Sequence, residues 1–210
     1  MVKKRLCLFW STLLCASVFL MCSCKENPDE KVREQLFSLL ESNSADSVSR
    51  YAIVNKIADN ILTSGDRDGF ILFLTDWVEN HPDDMYNSYW LLMTAYAYMT
   101  DRAEPVAEYY FDRILRTYRD LEVKGNSIHF MCLQNLIQIS KTYFNELINR
   151  FPAKVSITEL YLRLALEYEK ESEWDEALKS YSMFLAQPDA STIQIAGEPN
   201  AYKKARQLVG

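Results

Sequence analysis

The chain has 210 residues, with 29 Asp and Glu against 23 Lys and Arg and a formal net charge of −6. Such an acidic surface repels phosphate backbones, which argues against nucleic acid as a partner. The two histidines, His81 and His129, lie 48 residues apart and form no pair of histidine ligands on one helix face, and the five glycines form no phosphate-binding loop. We therefore expect no catalytic residues, no metal and no cofactor, and predict that the chain is not an enzyme.

Residues 1–23 have the pattern of an export signal. Three basic residues at positions 3–5 precede an uncharged apolar run over residues 6–21. This run is shorter than the roughly 20 residues that a membrane-spanning helix needs. Removal of residues 1–23 takes away three basic residues and no acidic one, which changes the formal net charge from −6 to −9.

The end of the signal segment, Ser23-Cys24 followed by a polar stretch, resembles the lipobox of bacterial lipoproteins. The resemblance implies that Cys24 carries acyl chains and that residues 24–29 are a short tether, with Cys22 as the alternative modified residue. Several acyl chains on one residue attach a protein durably to a bilayer. We therefore expect an exported protein that is lipid-anchored to the bacterial cell envelope, at the periplasmic face of the inner or outer membrane.

Cys132 is the free thiol that remains once the N-terminal cysteines are assigned to the signal and the anchor, so no intramolecular disulfide is expected. It lies in the apolar run 130–133. This context predicts a small buried side chain and not a reactive nucleophile.

Apolar residues recur three and four apart almost throughout residues 30–210, which are predicted to form one helical domain. In chain order, the first three helices are predicted over about residues 29–41, 46–64 and 70–80. The second of these ends at Gly65, which tolerates the left-handed conformation of a helix C-cap.

The second half of the chain is predicted to be helical as well. Residues 127–151 contain neither Gly nor Pro, and we favour a helix pair that breaks near Ser140 over one long helix. A final helix is predicted after Glu198-Pro199. Its apolar side is formed by Tyr202, Ala205, Leu208 and Val209.

Internal repetition shows in how the amphipathic segments end. They close at His81-Pro82, Tyr118-Arg119, Phe151-Pro152 and Gln187-Pro188, with spacings of 37, 33 and 36 residues. This period corresponds to one helix pair per unit. A unit of this size cannot bury its own apolar face, so neighbouring units are expected to stack.

The last helix pair carries the repeat most clearly. Ala165 and Ala177 are small where two helices would cross closely, and larger aromatic rings lie beside them in the pattern. The pattern resembles the tetratricopeptide repeat (TPR), on Tyr161, Leu164, Ala165, Tyr168, Ala177, Tyr181, Phe184 and Pro188. The resemblance implies an all-α fold, a right-handed α-solenoid of about four TPR-like helix pairs with a C-terminal capping helix. The pair over residues 89–118 fits only with an enlarged turn at residues 100–104.

In TPR proteins the concave groove is lined mainly by the first helix of each pair. Of the positions that match, we prefer Trp90 and Tyr98 as partner contacts, because large aromatic side chains with a polar edge are efficient anchors at interfaces. The alternative for Trp90 is packing against the preceding repeat. Carried over residue by residue, the predicted groove consists of Asn55, Asp59, Trp90, Thr94, Tyr98, Leu162, Leu166 and Glu169.

The combined resemblances imply a lipid-anchored scaffold or adaptor of the cell envelope that binds another exported or outer-membrane protein through its groove. One alternative is a TPR lipoprotein that binds a solute for a transporter. A second alternative is a subunit of the outer-membrane β-barrel assembly machinery, whose lipoprotein of this family is similar in combining an anchor with repeats. The oligomeric state is left open.

Overall fold

The computed structural model describes residues 28–42, 46–195 and 198–210. The predicted signal segment, Cys22 and Cys24 lie outside these residues. The described part is all-α, as predicted, and none of its helices is long and apolar enough to cross a membrane. Its ten α-helices are α1 (Pro28–Ser42), α2 (Ser47–Thr63), α3 (Arg67–Asn80), α4 (Asn87–Thr100), α5 (Glu104–Thr117), α6 (Ile128–Ile139), α7 (Phe144–Arg150), α8 (Ile157–Lys170), α9 (Trp174–Leu185) and α10 (Ala201–Val209).

The chain divides into two compact units, whose boundary falls between Phe70 and Ile71, inside α3. In the first unit α1 packs against α2, and the Arg33 guanidinium donates a hydrogen bond to Asn60 Oδ1 at 3.2 Å. Helix α2 begins where Asp46 accepts hydrogen bonds from the backbone N–H groups of the first turn, which satisfies donors that have no partner within the helix.

In the second unit, consecutive helices pack on one another. The most extensive contacts join α4 to α5 and α8 to α9, while α6 packs on α5 and α7, and α10 packs on α9. Their interior is filled by aliphatic and aromatic side chains with no more than 1% exposure, among them Leu91, Phe111, Ile114, Leu133, Tyr181 and Phe184. Cys132 is also fully buried, as predicted, and burial raises the pKa of its thiol.

Three turns between successive helices share one hydrogen-bond geometry. Each turn centres on a residue with positive φ, and these are Gly65 (+83°), Arg102 (+57°) and Ser172 (+63°). The N–H of the central residue donates a hydrogen bond to the carbonyl of the residue three positions earlier in the chain. The N–H of the residue after it donates to the carbonyl five positions before that residue. This is the Schellman arrangement, which satisfies the last carbonyls of a helix. The carbonyl of that next residue then accepts the first hydrogen bond of the following helix.

Equivalent positions around these turns are buried in the same way. Gly65 and Arg102 are 37 residues apart, which is about one repeat period, and Arg102 and Ser172 are 70 residues apart, which is about two. Seven residues before them lie Ala58, Ala95 and Ala165, and five residues after them lie Phe70, Ala107 and Ala177, none more than 4% exposed.

The enlarged turn expected at residues 100–104 is wrong. Helix α4 ends at Thr100 and α5 begins at Glu104, so the turn has the same three-residue length as the other two. It closes this tightly because Arg102 adopts the left-handed conformation that glycine adopts at position 65.

The predicted break near Ser140 is confirmed. Helix α6 ends at Ile139, Ser140 is extended (φ −145°, ψ 131°), and a short 3₁₀ turn over Lys141–Tyr143 leads into α7. The Ser140 hydroxyl accepts a hydrogen bond from the N–H of Thr142 at 3.4 Å. Residues 127–151 are therefore a helix pair, with a turn of a different kind from the three described above.

A small antiparallel hairpin precedes α6 and was not predicted. Its strands, β1 (Glu122–Val123) and β2 (Asn126–Ser127), are joined by Lys124-Gly125, both with positive φ, as a type I′ turn requires. The Asp120 carboxylate accepts hydrogen bonds from the Ser127 hydroxyl at 2.6 Å and from the His129 N–H at 3.0 Å. The hairpin thereby holds the first turn of α6 in place.

The predicted final helix is present as α10, and two of the four residues on its predicted apolar side, Tyr202 and Ala205, pack against the core of α8 and α9. Ala201 and Ala205 are buried, whereas Leu208 and Val209 are 40% and 39% exposed. Small residues let α10 approach α9 closely, and the two larger apolar residues lie at the free end of the helix.

Ser172→Gly is expected to raise the free energy of unfolding by about 0.5 kcal/mol, because glycine adopts the left-handed conformation without Cβ strain. The same substitution at Ser182, inside α9, is expected to lower it by about 0.5 kcal/mol, because glycine weakens a helix. Urea unfolding followed by circular dichroism measures both. A loss of stability in both variants would show that the Ser172 turn carries no strain.

Candidate functional site

A surface depression in the described second unit lies between α6 and α8. It consists of two cavities of about 610 and 270 Å³ that share Ile137, Gln138 and Arg163. The larger one extends to the 3₁₀ turn after α6 and to Ile195, and the smaller one reaches the residues before α8. We call the two cavities together the α6–α8 groove.

The floor of the groove is apolar and its rim is polar. Phe144 and Leu147 of α7 are buried at its base, and Ile137 and Leu166 are half-buried on the facing helices. The side chains of Gln134 and Gln138 are exposed on α6, one helical turn apart. An apolar floor with a few polar groups around it is the usual composition of a binding site.

Of the four basic side chains that line the groove, Lys141, Arg163 and Lys170 are accompanied by carboxylates, and the ammonium of Lys154 lies over the rings of Phe130 and Phe151. Lys141 bonds to Glu171 and, at 2.8 Å, to Glu173, and these hydrogen bonds raise the pKa of its ammonium group. Its ammonium also lies 4.6 Å from the ring centroid of Tyr168.

Two further ion pairs lie along α8. Arg163 pairs with Glu159 at 2.6 Å, and Lys170 with Glu167 at 3.5 Å. Because positive and negative groups alternate here, this wall of the groove presents no block of one charge.

Three of the predicted groove residues are buried and cannot contact a partner from the surface. Trp90 is 1% exposed, and Thr94 and Leu162 are fully buried. Their predicted place on an exposed groove is therefore wrong. Helix α4 buries residues around most of its circumference, Trp90 among them. Leu162 belongs to the core that α8, α9 and α10 share.

Glu169 is accessible only in part, because it is held by its neighbours. It accepts a hydrogen bond from the Tyr181 hydroxyl at 2.5 Å and pairs with Lys204 of α10 at 2.8 Å. Burial raises the pKa of Glu169, but the hydrogen bonds from Lys204 and Tyr181 outweigh it and leave the pKa below its usual value. Glu169 thus links α8 to α9 and α10.

The other predicted groove residues occupy three different places. Leu166 lines the α6–α8 groove, as its position on α8 suggested. Tyr98 is half-buried and stacks on Tyr110, with ring centroids 5.6 Å apart and planes 9° from parallel. Asn55 and Asp59 lie in the first unit, where the Asn55 amide donates a hydrogen bond to the Asp59 carboxylate at 2.9 Å.

On α8 the sequence-based prediction included Leu166, which lines the groove, and left out the residues beside the predicted ones. The residues that line the groove include Arg163, Glu167 and Lys170, each directly following a predicted one (Leu162, Leu166 and Glu169). One residue on a helix corresponds to a rotation of 100°, which separates a buried side from an exposed one. The groove residues of α6 were missed altogether, although the break at Ser140 marks where that helix ends.

Both histidines contact other side chains of the fold. The His81 ring stacks on Trp77 at a centroid distance of 3.7 Å. His129 is 4% exposed and contacts the Arg150 guanidinium, and burial is the main cause that lowers the pKa of its imidazole. Among residues 28–42, 46–195 and 198–210, no three His, Cys, Asp or Glu residues are grouped as a metal site would require.

No protein-family model matches the chain, and no curated protein is significantly similar to it. Its function is therefore inferred from its own residues.

Glu169→Gln is expected to lower the free energy of unfolding by about 1 kcal/mol at pH 7, because hydrogen bonds to a charged group are lost. The folded-state pKa of Glu169 is depressed, so its stabilising contribution exists above the unfolded pKa and disappears as the pH falls through the folded pKa. Between about pH 5 and 3, the wild type should lose stability more steeply than this variant in urea unfolding.

The matched control for this measurement is Glu176→Gln, whose side chain is 50% exposed beside Lys179. Its acid dependence should follow that of the wild type. Identical pH profiles for wild type and Glu169→Gln would contradict the assigned role of Glu169.

Proposed function

We propose that the chain is a lipid-anchored scaffold or adaptor of the bacterial cell envelope, and that the α6–α8 groove binds a segment of another exported or outer-membrane protein. The helices then form a right-handed TPR-like solenoid of about four pairs, closed by α10 as a capping helix. This architecture is supported by the three equivalent turns at one and two periods and by the buried alanines around them.

The groove carries the functional part of the proposal. It lies between α6 and α8, which are the first helices of two successive pairs, and its apolar floor includes side chains that intramolecular packing leaves half-buried, such as Ile137 and Leu166. Half-buried apolar side chains within a polar rim are typical of surfaces that bind a partner. The proposed role is binding rather than catalysis.

The proposed anchor keeps the first unit close to a membrane. Helix α1 begins at Pro28, four residues after Cys24. An extended chain covers at most about 3.6 Å per residue, so this stretch can span at most about 14 Å. An acylated Cys24 would therefore keep α1 near the lipid headgroups, where partners in the same membrane are concentrated.

Cys24→Ser is expected to abolish incorporation of radiolabelled fatty acid into the chain and to release it from the membrane fraction, because the acyl chains lose their attachment residue. Cys22→Ser is the matched control, two residues away, and should keep both the label and the membrane association. Labelling that survives in Cys24→Ser and disappears in Cys22→Ser would move the anchor to Cys22. If neither the wild type nor Cys22→Ser incorporated the label, the lipid anchor would be excluded.

A photo-crosslinking amino acid at Gln138 is expected to give discrete crosslinked products in cells, because this exposed side chain lines both cavities of the groove. Lys179, which is exposed on α9 and lines neither cavity, is the control position and should give none of the same products. Mass spectrometry of the products identifies the partner. The same products from both positions, or none from Gln138, would contradict binding in the groove.

A further inference from the structure

An extended segment of the chain packs on the core beside the groove and contributes one residue, Ile195, to its lining. Ile193 is extended (ψ 129°), and Ile195 lies in the larger cavity. Both isoleucines are half-buried and pack against the core of α8, α9 and α10, while Gln194 between them is exposed. An extended backbone that alternates apolar and polar residues therefore packs its apolar side on the core at the end of the groove, because successive side chains of such a backbone point to opposite sides.

The rim on α6 offers amides at a matching interval. Gln134 and Gln138 lie four residues apart, about 6 Å along the helix axis. Alternate residues of an extended chain are about 6.6 Å apart. A side-chain amide both donates and accepts, so each glutamine can pair with a backbone amide of alternate residues in a bound peptide. The structure shows no hydrogen-bond partner for either amide among the described residues.

The charges beside the groove argue against an ionic ligand. Lys141, Arg163 and Lys170 each lie against at least one carboxylate. The fourth cation in the lining, Lys154, has its ammonium over the rings of Phe130 and Phe151. An acidic ligand would have to displace these carboxylates, and a basic ligand would have to displace the cations. An uncharged peptide segment can bind without displacing either the carboxylates or the cations.

We propose that the α6–α8 groove binds an extended, uncharged peptide segment with apolar side chains at alternate positions. This inference rests on the proposed function and specifies the chemistry of the partner. The groove runs along α8 from Glu159 to Glu171, about 18 Å at 1.5 Å per residue. An extended peptide covers that length with about six residues.

The test uses three fluorescent peptides of about eight residues, titrated into the purified full chain and followed by anisotropy. The first alternates Ile and Gln, the second has the same composition with the isoleucines contiguous, and the third replaces Gln by Glu in the alternating order. We expect the first to bind at least ten-fold more tightly than either of the others. Its affinity should change less than about two-fold between 0.05 and 0.3 M salt, because no net charge is neutralised on binding.

Three variants locate the binding. Ile137→Arg introduces a charge at the apolar residue shared by both cavities and should weaken binding of the alternating peptide at least ten-fold. Gln134→Ala and Gln138→Ala should each weaken it about five-fold, as expected for loss of one hydrogen bond. Gln207→Ala, at an exposed glutamine of α10, is the matched control and should bind like the wild type.

Tighter, salt-dependent binding of the glutamate peptide, equal binding of all three peptides, or binding unaffected by Ile137→Arg would each overturn the inference. These outcomes are separate from a failure of the proposed function. Crosslinking from Gln138 to a protein partner, combined with no preference for the alternating peptide, would retain the groove and reject only the chemistry of its ligand.

Discussion

The tight left-handed turn between paired helices is the constraint on which the rest of the second unit depends. Arg102 and Ser172 adopt positive φ, which lets a helix end and the next one begin within three residues. The chain then reverses so sharply that the two helices must cross closely, and only small side chains fit at the crossing. Ala95 and Ala107 in one pair, and Ala165 and Ala177 in the other, are accordingly buried.

The pair α6–α7 lacks this turn, and the groove lies there. Ser140 is extended instead of left-handed, and α7 contains seven residues where α8 contains fourteen. Phe144 and Leu147 of this short helix form the base of the groove. The irregular helix pair α6–α7, which lies between two regular pairs, therefore leaves apolar side chains of α6 and α8 only partly buried.

The sequence predicts the helices better than it predicts the turns. Helical periodicity, Gly65 and the break at Ser140 could be read from residue types, because each has a known local preference. The left-handed residues Arg102 and Ser172 could not, since neither type favours positive φ. The hairpin turn at Lys124-Gly125 has one local signal in the sequence, the glycine, which readily adopts positive φ.

The groove was harder to predict than the fold because it depends on the rotation of each helix. Trp90 had the right residue type for an interface anchor, yet α4 is covered by neighbours on most sides, which only tertiary packing determines. On α8 the prediction included Leu166, which lines the groove, together with Leu162, which is buried in the core. Periodicity gives the apolar side of a helix but not which part of that side its neighbours leave open.

Lys141 connects the irregular pair to the regular one that follows it. Its side chain, 17% exposed, reaches from the turn after α6 to Glu171 and Glu173, the two residues that flank left-handed Ser172. The ring of Tyr168 lies beneath the same ammonium group. One side chain thus holds the end of α6 against the end of α8, and it does so at the opening of the larger cavity. The turn that makes α8 and α9 pair closely also presents the carboxylates that fix the width of the groove at this end.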